Sequence, residues 1–83
     1  MQTVTVYGAD WCPLTRAALS HLDHLGVNYD YINIEEDEAA AQWVADHNEG
    51  KERKPTIDVD GTVISEPSNK ELDDLLREKR VLT

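Results

Sequence analysis

The sequence predicts one small α/β domain, a four-stranded mixed sheet flanked by three helices in the order βαβ, α, ββα. Three observations carry that reading. The 83 residues suffice for one folding unit and not for two, since such units rarely fall much below about 50 residues. Near the start, a β-branched run, a helical stripe and a second strand-like run follow one another, as a strand, helix, strand unit requires. Farther on, Asp60-Gly61 separates two β-branched runs, which marks an antiparallel hairpin.

The elements follow in order. Thr3 to Tyr7 alternates β-branched and aromatic residues and reads as a strand that Gly8-Ala9-Asp10 ends. Leu14, Ala18, Leu22 and Leu25 recur at helical spacing behind Pro13, which suits a first helical position, and Gly26 is a good terminator, so a helix is expected over 13–25. Asn28 to Ile34 is apolar on both faces, as a strand in a parallel pair is. Glu35 to Glu38 puts negative charge at the positive end of a second helix, one face of which is lined by Ala40, Trp43, Val44 and His47, the last solvent-facing or satisfied at the helix end, and which ends near Asn48 to Gly50. After the charged connector Lys51 to Lys54 and Pro55, Thr56 to Val59 and Thr62 to Ser65 form the hairpin. Ser68 and Glu71 have capping-box spacing, ahead of a last helix that buries Leu72, Leu75 and Leu76.

A chain 40% hydrophobic and 30% charged is a soluble globular one, and with no Phe its core must be aliphatic, supplemented by Trp11, Trp43 and three tyrosines. Seventeen acidic against eight basic residues give a charge of −9, which repels phosphate backbones and anionic lipid, so neither nucleic acid nor a membrane is an expected partner. No apolar run approaches the roughly 18 residues of a membrane span, and Met1-Gln2-Thr3-Val4 lacks the regions of a signal peptide. The expected compartment is the cytoplasm.

A single cysteine excludes an internal disulfide and a multi-cysteine zinc site, which leaves Cys12 as buried filler or as a reactive thiol. It lies in Tyr7-Gly8-Ala9-Asp10-Trp11-Cys12-Pro13-Leu14-Thr15, between a strand end and a helix start. There the unpaired N–H groups and the helix dipole favour a thiolate, and the loop with Pro13 suggests a partly exposed turn. His21, His24 and His47 have no convergent partners, so no metal is expected. The Glu35 to Glu38 run lacks the alternating ligands and glycine of a calcium loop.

Tyr7 through Thr15, Pro55-Thr56-Ile57, Asp60-Gly61 and Pro67-Ser68 together resemble the glutaredoxin branch of the thioredoxin-fold proteins, particularly its short bacterial mycoredoxin-like members, over almost the whole chain. The resemblance implies a thioredoxin-like fold in which Cys12 is the nucleophile and Pro55 a cis-proline opposite it, with Lys54-Pro55-Thr56 as substrate-binding backbone and Trp11 and Pro13 flanking the thiol. Without the resemblance, Pro55 reads as an ordinary trans proline opening a strand. A dithiol motif would carry its second cysteine where this chain has Thr15, so the implied cycle uses one thiol, with glutathione or a similar small thiol as cosubstrate, no bound cofactor and thiol-containing proteins as partners of a monomer. Thr15 then either donates its hydroxyl to the thiolate or bonds backbone. Its Cys12-Pro13-Leu14-Thr15 is not the Cys-Gly-Phe-Ser signature of cluster-binding members, and no iron–sulfur cluster is expected.

Two further departures from the family pattern bear on function. Ala9 and Asp10 stand where many members have a lysine, and the Asp10 carboxylate opposes thiolate formation. Ser65-Glu66-Pro67-Ser68-Asn69 replaces the Gly-Gly and Asp-Asp run that holds the γ-glutamyl end of glutathione. Arg53 and Lys54 suit the glycine carboxylate, or form a solvated connector; Arg16 approaches the thiol or points to solvent. The leading expectation is a single-thiol oxidoreductase. A redox-silent binding module of the same fold is the alternative, and an arsenate reductase, suggested by Arg16 four residues after the cysteine, a lesser one that lacks a segment for oxyanion-binding arginines.

Overall fold

The computed structural model describes residues 3–82; Met1 and Gln2, half of the stretch read for a leader, and Thr83 lie outside them. The described residues form seven elements: β1 (Val4–Gly8), α1 (Pro13–Leu25), β2 (Asp30–Asn33), α2 (Glu38–His47), β3 (Thr56–Val59), β4 (Thr62–Ser65) and α3 (Asn69–Glu78). Local chemistry sets their ends. Pro13 opens α1, and Gly26, at φ +74°, closes it by sending its N–H to the Leu22 and Asp23 carbonyls, a left-handed turn that glycine adopts without a Cβ clash. The Asp37 carboxylate caps α2 by accepting the Ala40 N–H, and Ser68 and Glu71 close both bonds of a capping box on α3. Asp60 and Gly61 both have positive φ, as the tight hairpin between β3 and β4 demands, and Gly61 N–H donates to the Asp58 carboxylate at 2.8 Å.

The sheet runs β2-β1-β3-β4, with β1 parallel to β2 and antiparallel to β3, and β3 antiparallel to β4. Strand alternation divides the core in two. Val4, Val6, Ile57 and Val59 pack against Ala18 and Leu22 of α1 and Leu72, Leu75 and Leu76 of α3, while Tyr7 and Ile32 face Ala40 and Val44 of α2. The sheet is therefore covered on both faces, by two helices on one side and one on the other. One expectation needs correction. Strand β2 is shorter than its apolar run, because pairing with β1 starts only at Thr5↔Asp30. His47 is exposed and forms the outer layer of a stack, 4.0 Å from Trp43, which lies 4.4 Å from Tyr7, and its Nδ1 bonds the Trp43 carbonyl.

This topology places the site. The pairing Tyr7↔Thr56 sets the start of β3 beside the end of β1. The loop carrying Cys12 and the connector carrying Lys54-Pro55 consequently meet at one end of the sheet, although 42 residues separate Cys12 from Lys54.

Candidate active site

The loop after β1 is tied by a turn in which Cys12 N–H donates to the Ala9 carbonyl at 3.1 Å. It rests on Thr15, which is fully buried. The Thr15 hydroxyl oxygen accepts the Ala9 N–H at 3.4 Å, so the first turn of α1 and the loop ahead of it share one side chain. Gly8 makes room for this packing: a Cβ there would lie 2.5 Å from both Cγ2 and Oγ1 of Thr15. Gly8→Ala is accordingly expected to lower stability by about 1–3 kcal/mol, through overpacking, and to slow alkylation of Cys12 by displacing Thr15. A melting temperature equal to wild type would show that Thr15 moves aside freely.

Cys12 occupies the N-cap of α1, with extended backbone and no cap hydrogen bond from its side chain. Its sulfur is turned inward, so that the residue is only 7% exposed, and its S–H is directed at the Lys54 carbonyl 3.9 Å away. The partly exposed turn expected from the sequence is thus partly corrected: Trp11, Pro13 and Leu14 carry the exposure, and the thiol lies beneath the connector. Burial pushes the Cys12 thiol up. The Thr15 N–H and hydroxyl, the Leu14 N–H and the Lys54 ammonium pull it down, and the balance lies below the ordinary thiol value. Thr15 bonds backbone through its oxygen, which accepts from Ala9 N–H, and its side chain is among the groups that lower the Cys12 thiol.

The opposite wall is the connector. The Lys54–Pro55 peptide bond is cis, and Pro55 is buried. Thr56, expected to bind substrate, faces inward and is fully buried; its hydroxyl donates to the Arg53 carbonyl at 2.9 Å and accepts from Asn48 Nδ2 at 3.2 Å. Asn48 in turn bonds the Val44 carbonyl and Ser65 Oγ. Thr56 braces the connector and does not line the groove, because its backbone is already paired with β1 and β4. Arg53 reaches Glu66 at 3.0 Å, and the Lys54 ammonium stands 5.8 Å from the centre of the Trp11 ring. Arg16 is exposed.

Several partners escaped the sequence reading. Trp11 is 62% exposed, yet its Nε1 donates to the Glu35 carboxylate at 2.8 Å, which sets the ring on the rim of the groove. The Tyr31 hydroxyl donates to Asp10 at 2.7 Å. The Asp10 carboxylate, which the sequence sets against the thiolate, accepts this hydrogen bond from a phenol. Burial, then the Asp10 bond and charge, then Glu36 and the Cys12 sulfur, hold the Tyr31 phenol well above its ordinary value, so it remains a donor. Glu35 and Tyr31 left no signal in the sequence beyond belonging to the strand next to β1 and the turn after it.

Comparison with known proteins identifies the family and the fold. The model of the glutaredoxin family matches residues 4–64. Mycoredoxin 1 of Corynebacterium glutamicum is 43% identical over 68 residues, covering 81% of this chain and 84% of its own. Among solved structures, a thioredoxin-like protein superposes with a TM-score of 0.82 at 26% identity, covering 93% of this chain and 97% of that one. A glutaredoxin from Archaeoglobus fulgidus superposes with a TM-score of 0.75 at 22% identity, covering 93% and 88% respectively, a likeness of fold.

Proposed function

The chain belongs to the glutaredoxin family of thiol-disulfide oxidoreductases, and we propose that it acts on mixed disulfides of glutathione or a related small thiol by a cycle that uses Cys12 alone. One observation carries this reading: the only sulfur available for exchange sits at the head of α1, below its ordinary pKa, and faces Lys54-Pro55 across the groove. The Cys12 thiolate attacks the small-thiol sulfur of a mixed disulfide. The old S–S bond breaks, the protein leaves as a thiolate that takes a proton from water, and Cys12 carries the small thiol. A second small thiolate attacks the carried sulfur, giving the small-molecule disulfide and regenerating the Cys12 thiolate. Cys12 is the catalytic residue, and Thr15 holds its charge. Trp11, Pro13 and the Lys54-Pro55 backbone bound the substrate. Arg53 meets a substrate carboxylate by exchanging Glu66 for it. The protein works as a monomer in the cytoplasm, where thiols stay reduced.

The test joins turnover to pH. Wild-type protein is expected to release a peptide from its glutathione mixed disulfide when glutathione is supplied. A thiol lowered by its surroundings ionises at lower pH than a free one, so the rate of Cys12 alkylation should rise and reach its plateau at lower pH than that of a free cysteine. No turnover, with an alkylation curve at or above the free-thiol curve, would leave the redox-silent binding module as the reading.

A further inference from the structure

The turn ahead of Cys12 is tied toward β2 by two successive side chains. Asp10 accepts the Tyr31 hydroxyl of β2 at 2.7 Å, and Trp11 Nε1 donates at 2.8 Å to Glu35, just after β2. Cys12 itself turns the other way, with its S–H directed at the Lys54 carbonyl ahead of β3. Because β1 lies between β2 and β3, the turn spreads its groups: the carboxylates are held toward one neighbour of β1 and the sulfur toward the other.

That separation bears on the chemistry. Cys12 is negative when it attacks a mixed disulfide and again when it leaves one, so a carboxylate that swung to the sulfur would oppose both halves of the cycle. Around the sulfur, Lys54 comes from the connector, in which Arg53 is paired with Glu66. Tyr31, on which Glu36 also acts, comes from β2. Helix α1 gives the Thr15 hydroxyl and N–H, the Leu14 N–H and the exposed Arg16. Asp10 stands two residues from Cys12, and its side chain is exposed, where a hydrogen bond rather than packing decides its direction. Tyr31 is suited to supply that bond. Its ring packs against the core, and its phenol titrates well above its ordinary value, so it stays a donor over the range in which thiols react.

We propose that Tyr31 is a positioning residue for the thiol cycle: its hydroxyl holds the Asp10 carboxylate at β2 and so keeps that charge off the Cys12 sulfur. This rests on the single-thiol cycle proposed above and adds no step to it.

The experiment is a double-mutant cycle on the reduced protein, with Tyr31→Phe, Asp10→Asn and both together. Cys12 is alkylated across pH by neutral iodoacetamide and by anionic iodoacetate. Phe keeps the ring in the core, and Asn keeps an oxygen that accepts from Tyr31. Tyr31→Phe releases the carboxylate, and two unit charges several ångströms apart in water change the population of a charged form about threefold. The thiolate that remains is more basic and about 1.7-fold more nucleophilic, so iodoacetamide should react about twofold slower near pH 7. The alkylation curve should move up by about half a pH unit. The iodoacetate-to-iodoacetamide ratio, which is insensitive to a general loss of rate, should fall about twofold. Asp10→Asn alone should leave the iodoacetamide curve close to that of wild type, because the carboxylate is already held off, and adding Tyr31→Phe to it should change neither quantity. A Tyr31→Phe protein with the wild-type curve and ratio would overturn the assignment. So would an equal shift in the Asp10→Asn background, since the phenol would then act on the sulfur or on packing directly, or an Asp10→Asn curve lowered by half a pH unit or more. Turnover of a glutathionylated peptide by wild type is measured separately. Its absence would overturn the cycle, and the alkylation results would still decide whether Tyr31 holds Asp10 off the sulfur.

Discussion

Cys12→Ser is expected to abolish turnover of glutathione mixed disulfides, by a factor on the order of 10³ or more, while the protein stays folded. The chain has no second thiol to substitute, and a serine hydroxyl is not ionised at neutral pH, so neither half of the cycle has a nucleophile. Stability should hold or rise slightly. Cys12 is an N-cap whose side chain makes no cap bond, and serine is a preferred N-cap whose oxygen can accept from the first-turn N–H groups, worth about 0.5–1 kcal/mol. The separation of the two effects makes the experiment decisive, since loss of activity cannot then be ascribed to unfolding. Steady-state turnover and thermal melting of both proteins provide the check. A serine variant that turns over like wild type would sink the enzyme reading.

Thr15→Val has the next largest expected effect, and its sign reverses with pH. Valine keeps the volume that Gly8 accommodates but removes the hydroxyl that favours the Cys12 thiolate. A hydrogen bond to a charged group is worth about 1.5 kcal/mol at the low end, so the thiolate population near pH 7 falls about tenfold. The remaining thiolate is more basic and hence intrinsically about threefold more nucleophilic, because reactivity follows basicity with a coefficient near 0.4–0.5. The net rate of exchange near neutral pH should fall about threefold. At a pH high enough to ionise both proteins fully, the variant should be the faster by about the same factor. Stability should drop by about 1 kcal/mol, since the buried Ala9 N–H loses its acceptor, although at 3.4 Å that bond is a long one. Stopped-flow alkylation across the pH range checks this. Rate curves that never cross would mean that the hydroxyl acts on packing alone.

The candidate site was legible in outline. Cys12 at the head of a helix follows from Pro13 and the Leu14, Ala18, Leu22 stripe, and a thiolate at that point follows from elementary electrostatics. The opposing Lys54-Pro55 came only through resemblance, since a lone proline before a strand reads as an ordinary strand opener. Two residues have partners that their neighbours in the chain do not announce. Asp10 is held by the Tyr31 hydroxyl. Thr56 was set in the groove, although its hydroxyl is turned to Arg53 and Asn48.

The difference follows the range of the interactions. Helix caps, the Asp60-Gly61 hairpin, the Ser68–Glu71 box and the alternation that sorts Val6 from Tyr7 all depend on residues within a few positions of each other, where backbone geometry leaves few options, so they could be read from the chain directly. Trp11 and Glu35 are 24 residues apart, Asp10 and Tyr31 21, and Cys12 and Lys54 42. Such pairs meet only because the strands assemble as β2-β1-β3-β4, and how deep the sulfur lies and which carboxylates are already engaged are properties of that assembly.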